Sequence, residues 1–203
     1  MCDSAGMPDD QNKSILQYTI STTWDGERPV DNAEIQLTFQ RPSSSEGNGM
    51  VIEIDAPFYN DPIVPQNHAI GSTDKLWNYE VVEAFFLSES EGKYVEIELA
   101  PKGHYLLLQL DTQQNVLNYS LPLENYKATS TMTNGVGRWH GRAVIPLEYF
   151  PKNVNKFNAY AIHKSDPDRV YMSLFPAPKG HHSGPNFHRL NYFQDIDVNS
   201  VLG

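Results

Sequence analysis

The six residues Tyr94–Leu99 constrain the fold more than any other stretch, because their polarity switches at every step. Val95, Ile97 and Leu99 alternate with Tyr94, Glu96 and Glu98. A strand sends successive side chains to opposite faces, so this run reads as a strand with one apolar and one polar face. Ala33–Gln40 repeats the pattern, with Ile35, Leu37 and Phe39 set against Glu34, Gln36 and Thr38. Further strand-type runs are expected at Ile15–Ser21, Met50–Asp55, Leu76–Leu87, Tyr105–Leu110, Asn115–Leu121, Lys127–Thr133, Val136–Ile145, Phe157–His163 and Val170–Phe175. Turn signals separate them: Asp25-Gly26, Ser88–Gly92, Pro101-Lys102-Gly103, Asn134-Gly135 and Asp166-Pro167-Asp168. Helix is confined to one turn at Pro146–Pro151 and a short segment within Phe193–Leu202. The chain reads as all-β, with Tyr105–Leu110, its most apolar run, as a central strand.

Composition agrees. Eleven Tyr and nine Phe suit strands, and 14 Pro with 13 Gly suit frequent turns, in a chain of 203 residues. We expect a polar, aperiodic lead at 1–13, disordered by composition, and one domain over 14–203. Net charge is −10, from 25 acidic and 15 basic residues. That balance excludes a nucleic-acid surface, which needs clustered cations to replace phosphate counterions, and a polybasic membrane contact. The single cysteine, Cys2, excludes an intrachain disulfide. The first residues lack the features of a signal peptide, and no apolar run is long enough to span a bilayer. Cytoplasm is the default expectation.

Chemistry concentrates in two places. Leu76–Leu87 carries Glu80 and Glu83 among β-branched and aromatic residues. Strand alternation puts Glu80 with Val82, Ala84 and Phe86, and Glu83 with Val81 and Phe85, so the two are not a matched pair. An irregular stretch, Ala56–Lys75, feeds into this run. In the second place, Tyr94, Glu96 and Glu98 share a face, with His104 just past the next turn. These residues fit a polar ligand cleft, an acid–base pair for glycoside chemistry, or a solvated sheet face. Trp77 fits an aromatic platform or a core plug, whereas Trp24 and Trp139 read as packing. His163, Asp166, Asp168, His181, His182 and His188 have the chemistry of a Zn²⁺ site, but no ligand spacing connects them. There is no nucleophile elbow, phosphate-cradling glycine loop or His-Glu-x-x-His.

Several motifs in order carry a resemblance: Trp24-Asp25-Gly26; Leu76 through Phe85; Tyr94-Val95-Glu96-Ile97-Glu98-Leu99-Ala100-Pro101 with Gly103; Trp139 through Pro146; Phe157 through Ile162; and Pro185-Asn186-Phe187-His188-Arg189-Leu190. Together they resemble family-nine carbohydrate-binding modules, within the wider DOMON-like sandwiches. With Phe175-Pro176-Ala177-Pro178 added, they more closely resemble an animal family whose vertebrate member is an open-reading-frame product of chromosome four. The resemblance implies a two-sheet antiparallel β-sandwich with a short C-terminal helical segment. It also implies binding of sugar reducing ends, with Trp77 stacked on the ring and a Glu at 80 or 83 accepting hydrogen bonds.

This chain departs from the sugar binders in two respects. Glu98 and Ala100 stand where they carry Arg and Asn, and Phe187 and His188 lie nearest the place of their second stacking Trp. Some members bind Ca²⁺, but no Asp-rich loop here supplies a ligand set, and no cofactor is expected. The expectation is a non-enzymatic module binding a carbohydrate or polar small molecule through Trp77, Glu80, Glu83, Tyr94, Glu96, Glu98, His104, Phe187 and His188. Its cleft would lie between residues 56–75 and the Tyr94/Glu96/Glu98 face, and Glu98 in place of Arg tilts the preference toward a cationic ligand. The alternatives are a protein-interaction or structural scaffold that has lost the sugar site, and a hydrolase using Glu96 and Glu98.

Overall fold

A computed structural model describes residues 14–134 and 136–202. The polar lead with Cys2, and Gly135 of the expected Asn134-Gly135 turn, lie outside the described residues. The strands are β1 (Ile15–Ile20), β2 (Thr22–Thr23), β3 (Ile35–Gln40), β4 (Gly49–Pro57), β5 (Val81–Ser88), β6 (Lys93–Leu99), β7 (Tyr105–Asp111), β8 (Val116–Tyr119), β9 (Tyr126–Thr133), β10 (Val136–Pro146), β11 (Lys156–His163), β12 (Val170–Ser173) and β13 (Gln194–Asp195). Every strand pair is antiparallel.

One sheet runs β1-β3-β4-β10-β9, and the larger runs β2-β12-β11-β5-β6-β7-β8, with β13 beside β11. The chain is therefore an all-β, two-sheet antiparallel sandwich. β7, expected at the centre, sits one place from the edge, because the short β8 alone lies outside it.

Alternation decides what fills the sandwich. Ile35, Leu37 and Phe39 from the small sheet meet Val82, Ala84, Phe86, Val95, Ile97, Leu99 and Phe157 from the large one, all buried. Phe39, Phe86 and Phe157 lock the centre, with ring centroids 5.2–5.4 Å apart. Burying each such side chain is worth about 1.5–3 kcal/mol, so this dry layer dominates stability.

One local expectation is corrected. Leu76–Leu87 is not one strand: Leu76–Asn78 forms a 3-10 turn after Lys75, whose φ of 54° breaks the extended backbone, and β5 starts only at Val81. The short helical segment expected within Phe193–Leu202 is a single 3-10 turn at Val198–Ser200, and a second turn at Leu190–Tyr192 lies on the other side of β13. Asp197 caps the turn at Val198–Ser200 by accepting from the Asn199 backbone N–H.

A second difference matters most. The outer face of the large sheet, one reading of which was a solvated surface, is buried as a second cluster. Val81, Phe85, Leu87, Tyr94, Leu106, Leu108, Leu110, Tyr160 and Ile162 pack there beneath Leu76, Phe187 and Phe193. The covers come from the 3-10 turn and from the chain after β12, elements whose sequences carry no strand period.

Candidate functional site

Strand register brings three carboxyl groups together on this second face. The β5–β6 hairpin pairs Ser88 with Lys93, and counting back along both strands pairs Glu83 with Glu98. Directly opposed residues on one face lie about 4.5–5.5 Å apart at Cβ. Glu96, two places along β6 and opposite Phe85, completes the triangle. Glu83 is 2% exposed, Glu96 3% and Glu98 0%.

None of these acids has the partners that burial demands. Glu83 Oε1, Glu96 Oε2 and both oxygens of Glu98 lack a hydrogen-bond partner among the protein's own groups. An unpaired buried charge costs several kcal/mol, more than the gain from any one of the apolar neighbours. The acids respond by holding protons. Burial, then the Glu96 charge, raises Glu83 well above the usual carboxyl range, with Arg169 opposing. Burial pushes Glu96 up to about 8, with the neighbouring Glu98 carboxyl opposing. Glu98 is raised by burial and then by its two acidic neighbours.

Above the acids lies a cleft of about 540 Å³. Glu83 and Glu96 form its polar floor, and Glu98 lies behind them, outside the lining. The walls are largely apolar: Trp77, Tyr119, Ile162, Tyr171 and Phe187, with Leu108, Leu110 and Val116 along β7 and β8. Trp77 stands at the rim, 37% exposed. Its turn is held by Arg169, whose guanidinium donates to the carbonyls of Trp77 (2.8 Å) and Asn78 (3.2 Å). Phe187 is fixed by stacking on Tyr160, centroids 4.1 Å apart.

His188 closes one side. Its Nδ1 is 2.8 Å from the Tyr94 hydroxyl, and its Nε2 is 4.0 Å from Glu96 Oε2, too far for a direct hydrogen bond. Burial lowers the His188 pKa, so this contact is not a settled ion pair.

The structure thus brings together Trp77, Glu83, Tyr94, Glu96, Glu98, Phe187 and His188. Glu80 and His104 lie elsewhere. The Glu80 carboxylate accepts from the backbone N–H groups of Tyr59 (3.0 Å) and Asp61 (3.2 Å), tying down the loop after β4. Burial still pushes it up to about 7. Glu80 precedes β5, so strand alternation never applied to it. His104 bonds Thr73 Oγ1 through Nδ1 and lines a separate small crevice with Phe58 and Pro62. Residues 56–75 border that crevice and do not form the cleft expected beside Tyr94. The cleft walls include residues absent from the expected set: Tyr119 on the exposed edge strand β8, Ile162 on β11 and Tyr171 on β12.

Among the described residues, no three His, Cys, Asp or Glu side chains are placed to hold a metal ion. The histidines considered for Zn²⁺ are dispersed. His163 stacks on Tyr59 with centroids 4.2 Å apart, and His182 Nε2 lies 2.9 Å from the Tyr192 hydroxyl. No helix among these residues is long and apolar enough to cross a membrane.

No protein-family model matches the chain. Individual vertebrate proteins do match. The UPF0462 protein C4orf33 homologue of Mus musculus is 42% identical over 191 residues, spanning 93% of this chain and 94% of its own. The Danio rerio homologue is 39% identical over 93% of this chain and 92% of its own. Homo sapiens UPF0462 protein C4orf33 is 39% identical over 93% and 91%. Among solved structures, a Bacteroides uniformis protein provisionally described as carbohydrate-binding aligns over 92% of this chain and 87% of its own. Its TM-score of 0.61 at 16% identity shows a shared fold. A family-nine carbohydrate-binding module of Caldicellulosiruptor kristjanssonii, solved with glucose, covers 92% of this chain and 94% of its own at 10% identity. Its TM-score is only 0.37, and it carries no weight here.

Proposed function

This chain belongs to the UPF0462 family of C4orf33 proteins, and from that premise we propose that it binds a carbohydrate or related polyol in the cleft over β5, β6 and β7. One observation carries the reading: buried carboxyl oxygens without partners form the floor of an aromatic-walled cleft. Buried polar atoms are nearly always satisfied, and a native exception needs an explanation. A ligand rich in hydroxyls supplies one. Its O–H groups donate to Glu83 Oε1 and Glu96 Oε2, and its apolar ring face meets the Trp77 indole.

His188 contributes from the side. When Tyr94 donates to Nδ1, the neutral ring carries its proton on Nε2, the nitrogen facing Glu96. A ligand oxygen inserted there accepts a hydrogen bond from that N–H. The provisional carbohydrate-binding description of the Bacteroides neighbour supports the same class of ligand.

Two other readings are less favoured. A hydrolase using Glu96 and Glu98 needs both at the substrate, yet Glu98 does not line the cleft. A protein-contact role draws on the exposed Val116, Leu117 and Tyr119 of the edge strand β8. Tyr119 donates to Asp74 and Ser120 bonds Ser72, however, so part of that edge is already engaged.

The test is tryptophan fluorescence and thermal shift with a panel of mono- and disaccharides at millimolar concentration. At least one sugar is expected to raise the melting temperature and perturb the indole emission, and Trp77→Ala to abolish both responses. Silence across the panel, with Trp77→Ala indistinguishable from the parent, overturns the reading.

A further inference from the structure

We infer that the cleft selects a ligand carrying a protonated amine beside its hydroxyls over the corresponding neutral sugar, with Glu83 and Glu96 as the acceptors. This rests on the binding site proposed above and names the chemistry it prefers.

Charge balance is the starting point. The cleft lining contains two carboxyl groups and no Lys or Arg. The cation closest to them in effect, Arg169, spends both terminal nitrogens on the Trp77 and Asn78 carbonyls and lies over the Tyr171 ring at 5.4 Å. His188 is 4.0 Å from Glu96, and burial favours its neutral form. The Arg169 charge opposes the rise at Glu83, but no Lys or Arg lines the cleft or pairs directly with either acid.

The orphaned atoms show where a cation would sit. Glu83 Oε1 and Glu96 Oε2 are unpartnered, belong to side chains more than nine-tenths buried, and border the same cleft. A hydroxyl can donate one hydrogen bond to one of them but leaves any charge uncompensated. An ammonium group donates three and brings the opposite charge, so it can serve both oxygens at once. The rings of Trp77 and Phe187 add π faces that favour a desolvated cation. A net charge of −10 raises the local concentration of cations before contact.

Glu98 lies behind the floor, outside the lining, and its oxygens are likewise unpartnered. Of the tyrosines around the floor, burial raises Tyr94, Tyr160 and Tyr119, so they stay neutral through the working range.

Ammonium binding favours the ionised form of the floor. The acids therefore release protons as the ligand enters, and affinity falls as pH drops below the value of about 8 that Glu96 holds.

Calorimetric titration of the full chain at neutral pH tests this with four sets of probes: glucose, galactose and mannose; their 2-amino-2-deoxy forms; their 6-amino-6-deoxy forms; and cyclohexylamine. At least one amino sugar should bind about tenfold more tightly than its parent. Its heat should vary with the ionisation enthalpy of the buffer, reporting proton release. In Glu83→Gln and Glu96→Gln, checked for folding by circular dichroism, the ratio of amino-sugar to parent affinity should collapse toward one.

Equal affinity for parent and amino sugars overturns the amine preference and leaves the carbohydrate site standing. A preference that survives both Gln variants also overturns it, by placing the charge recognition elsewhere. Binding of cyclohexylamine with no sugar of either kind sinks the carbohydrate reading but upholds selection of a cation. Failure of all four sets removes both.

Discussion

The two faces of the large sheet are built from the same strands and are almost equally dry, yet only one contains acid. Toward the small sheet, β5 and β6 present Val82, Ala84, Phe86, Val95, Ile97 and Leu99. On the opposite side they present Val81, Glu83, Phe85, Tyr94, Glu96 and Glu98, with the glutamates no more exposed than their neighbours. The inner face is what folding requires, since its removal would separate the sheets. The outer face contains groups that folding by itself disfavours. A buried group that weakens the fold and has no internal partner is the usual mark of a site kept for another purpose.

Glu80 sharpens the contrast. It too is a buried carboxyl with a raised pKa, but two backbone N–H groups bind it, so it stabilises the loop it serves.

Substitutions can break this comparison, and the largest effect belongs to the inner face. Phe86→Ala should destabilise by about 3–5 kcal/mol, measured by urea unfolding, because Phe39, Phe150 and Phe157 close against its ring. A loss under about 1 kcal/mol would mean the sandwich does not depend on this layer.

The next effect separates the two kinds of buried acid by sign. Glu80→Ala should cost about 2 kcal/mol, as it strands the Tyr59 and Asp61 amides. Glu98→Gln should stabilise by about 1–2 kcal/mol near pH 8, raising the melting temperature by about 2–6 °C, because it removes an acid with no partner. If both substitutions destabilise alike, the distinction between structural and ligand-directed acids fails.

A pH series resolves the same difference. Folded Glu80 and Glu96, near 7 and 8, hold protons that the unfolded chain has already released, so the native state binds more of them. Their stabilising contribution is full below the ordinary value of 4.5 and is lost as pH rises through about 7 to 8. The melting temperature should therefore fall between those limits. Glu80→Gln and Glu96→Gln should each flatten the decline, and a rising curve would contradict the protonated floor.

The smallest stability effect belongs to the residue with the greatest consequence for binding. Trp77→Ala should change unfolding by no more than about 0.5–1 kcal/mol, because the ring is 37% exposed, while abolishing the fluorescence response to ligand.

Much of this was legible in the chain. Alternation placed Tyr94, Glu96 and Glu98 on one side of β6, and Glu83 with Phe85 on one side of β5. Even the Glu83–Glu98 contact follows from the hairpin that joins Ser88 to Lys93. The seal over this face was not legible. Phe187 and His188 lie in an irregular segment, and they reach β5 and β6 by tertiary packing that no local period encodes. Glu80 was misplaced for a related reason, since the backbone bend at Lys75 removed it from the strand whose alternation was applied to it.

The lateness of that seal has a consequence for synthesis. Phe187 and His188 are made about ninety positions after Glu98, which at ~5–20 residues per second is on the order of 5–20 s. Until they arrive, Val81, Phe85 and Tyr94 present an uncovered strip on a growing sheet. During that interval Glu83, Glu96 and Glu98 are wet and ionised, and they break the strip into pieces too short for another nascent chain to stack upon. The same three acids that burden the finished molecule would shield the unfinished one on the ribosome.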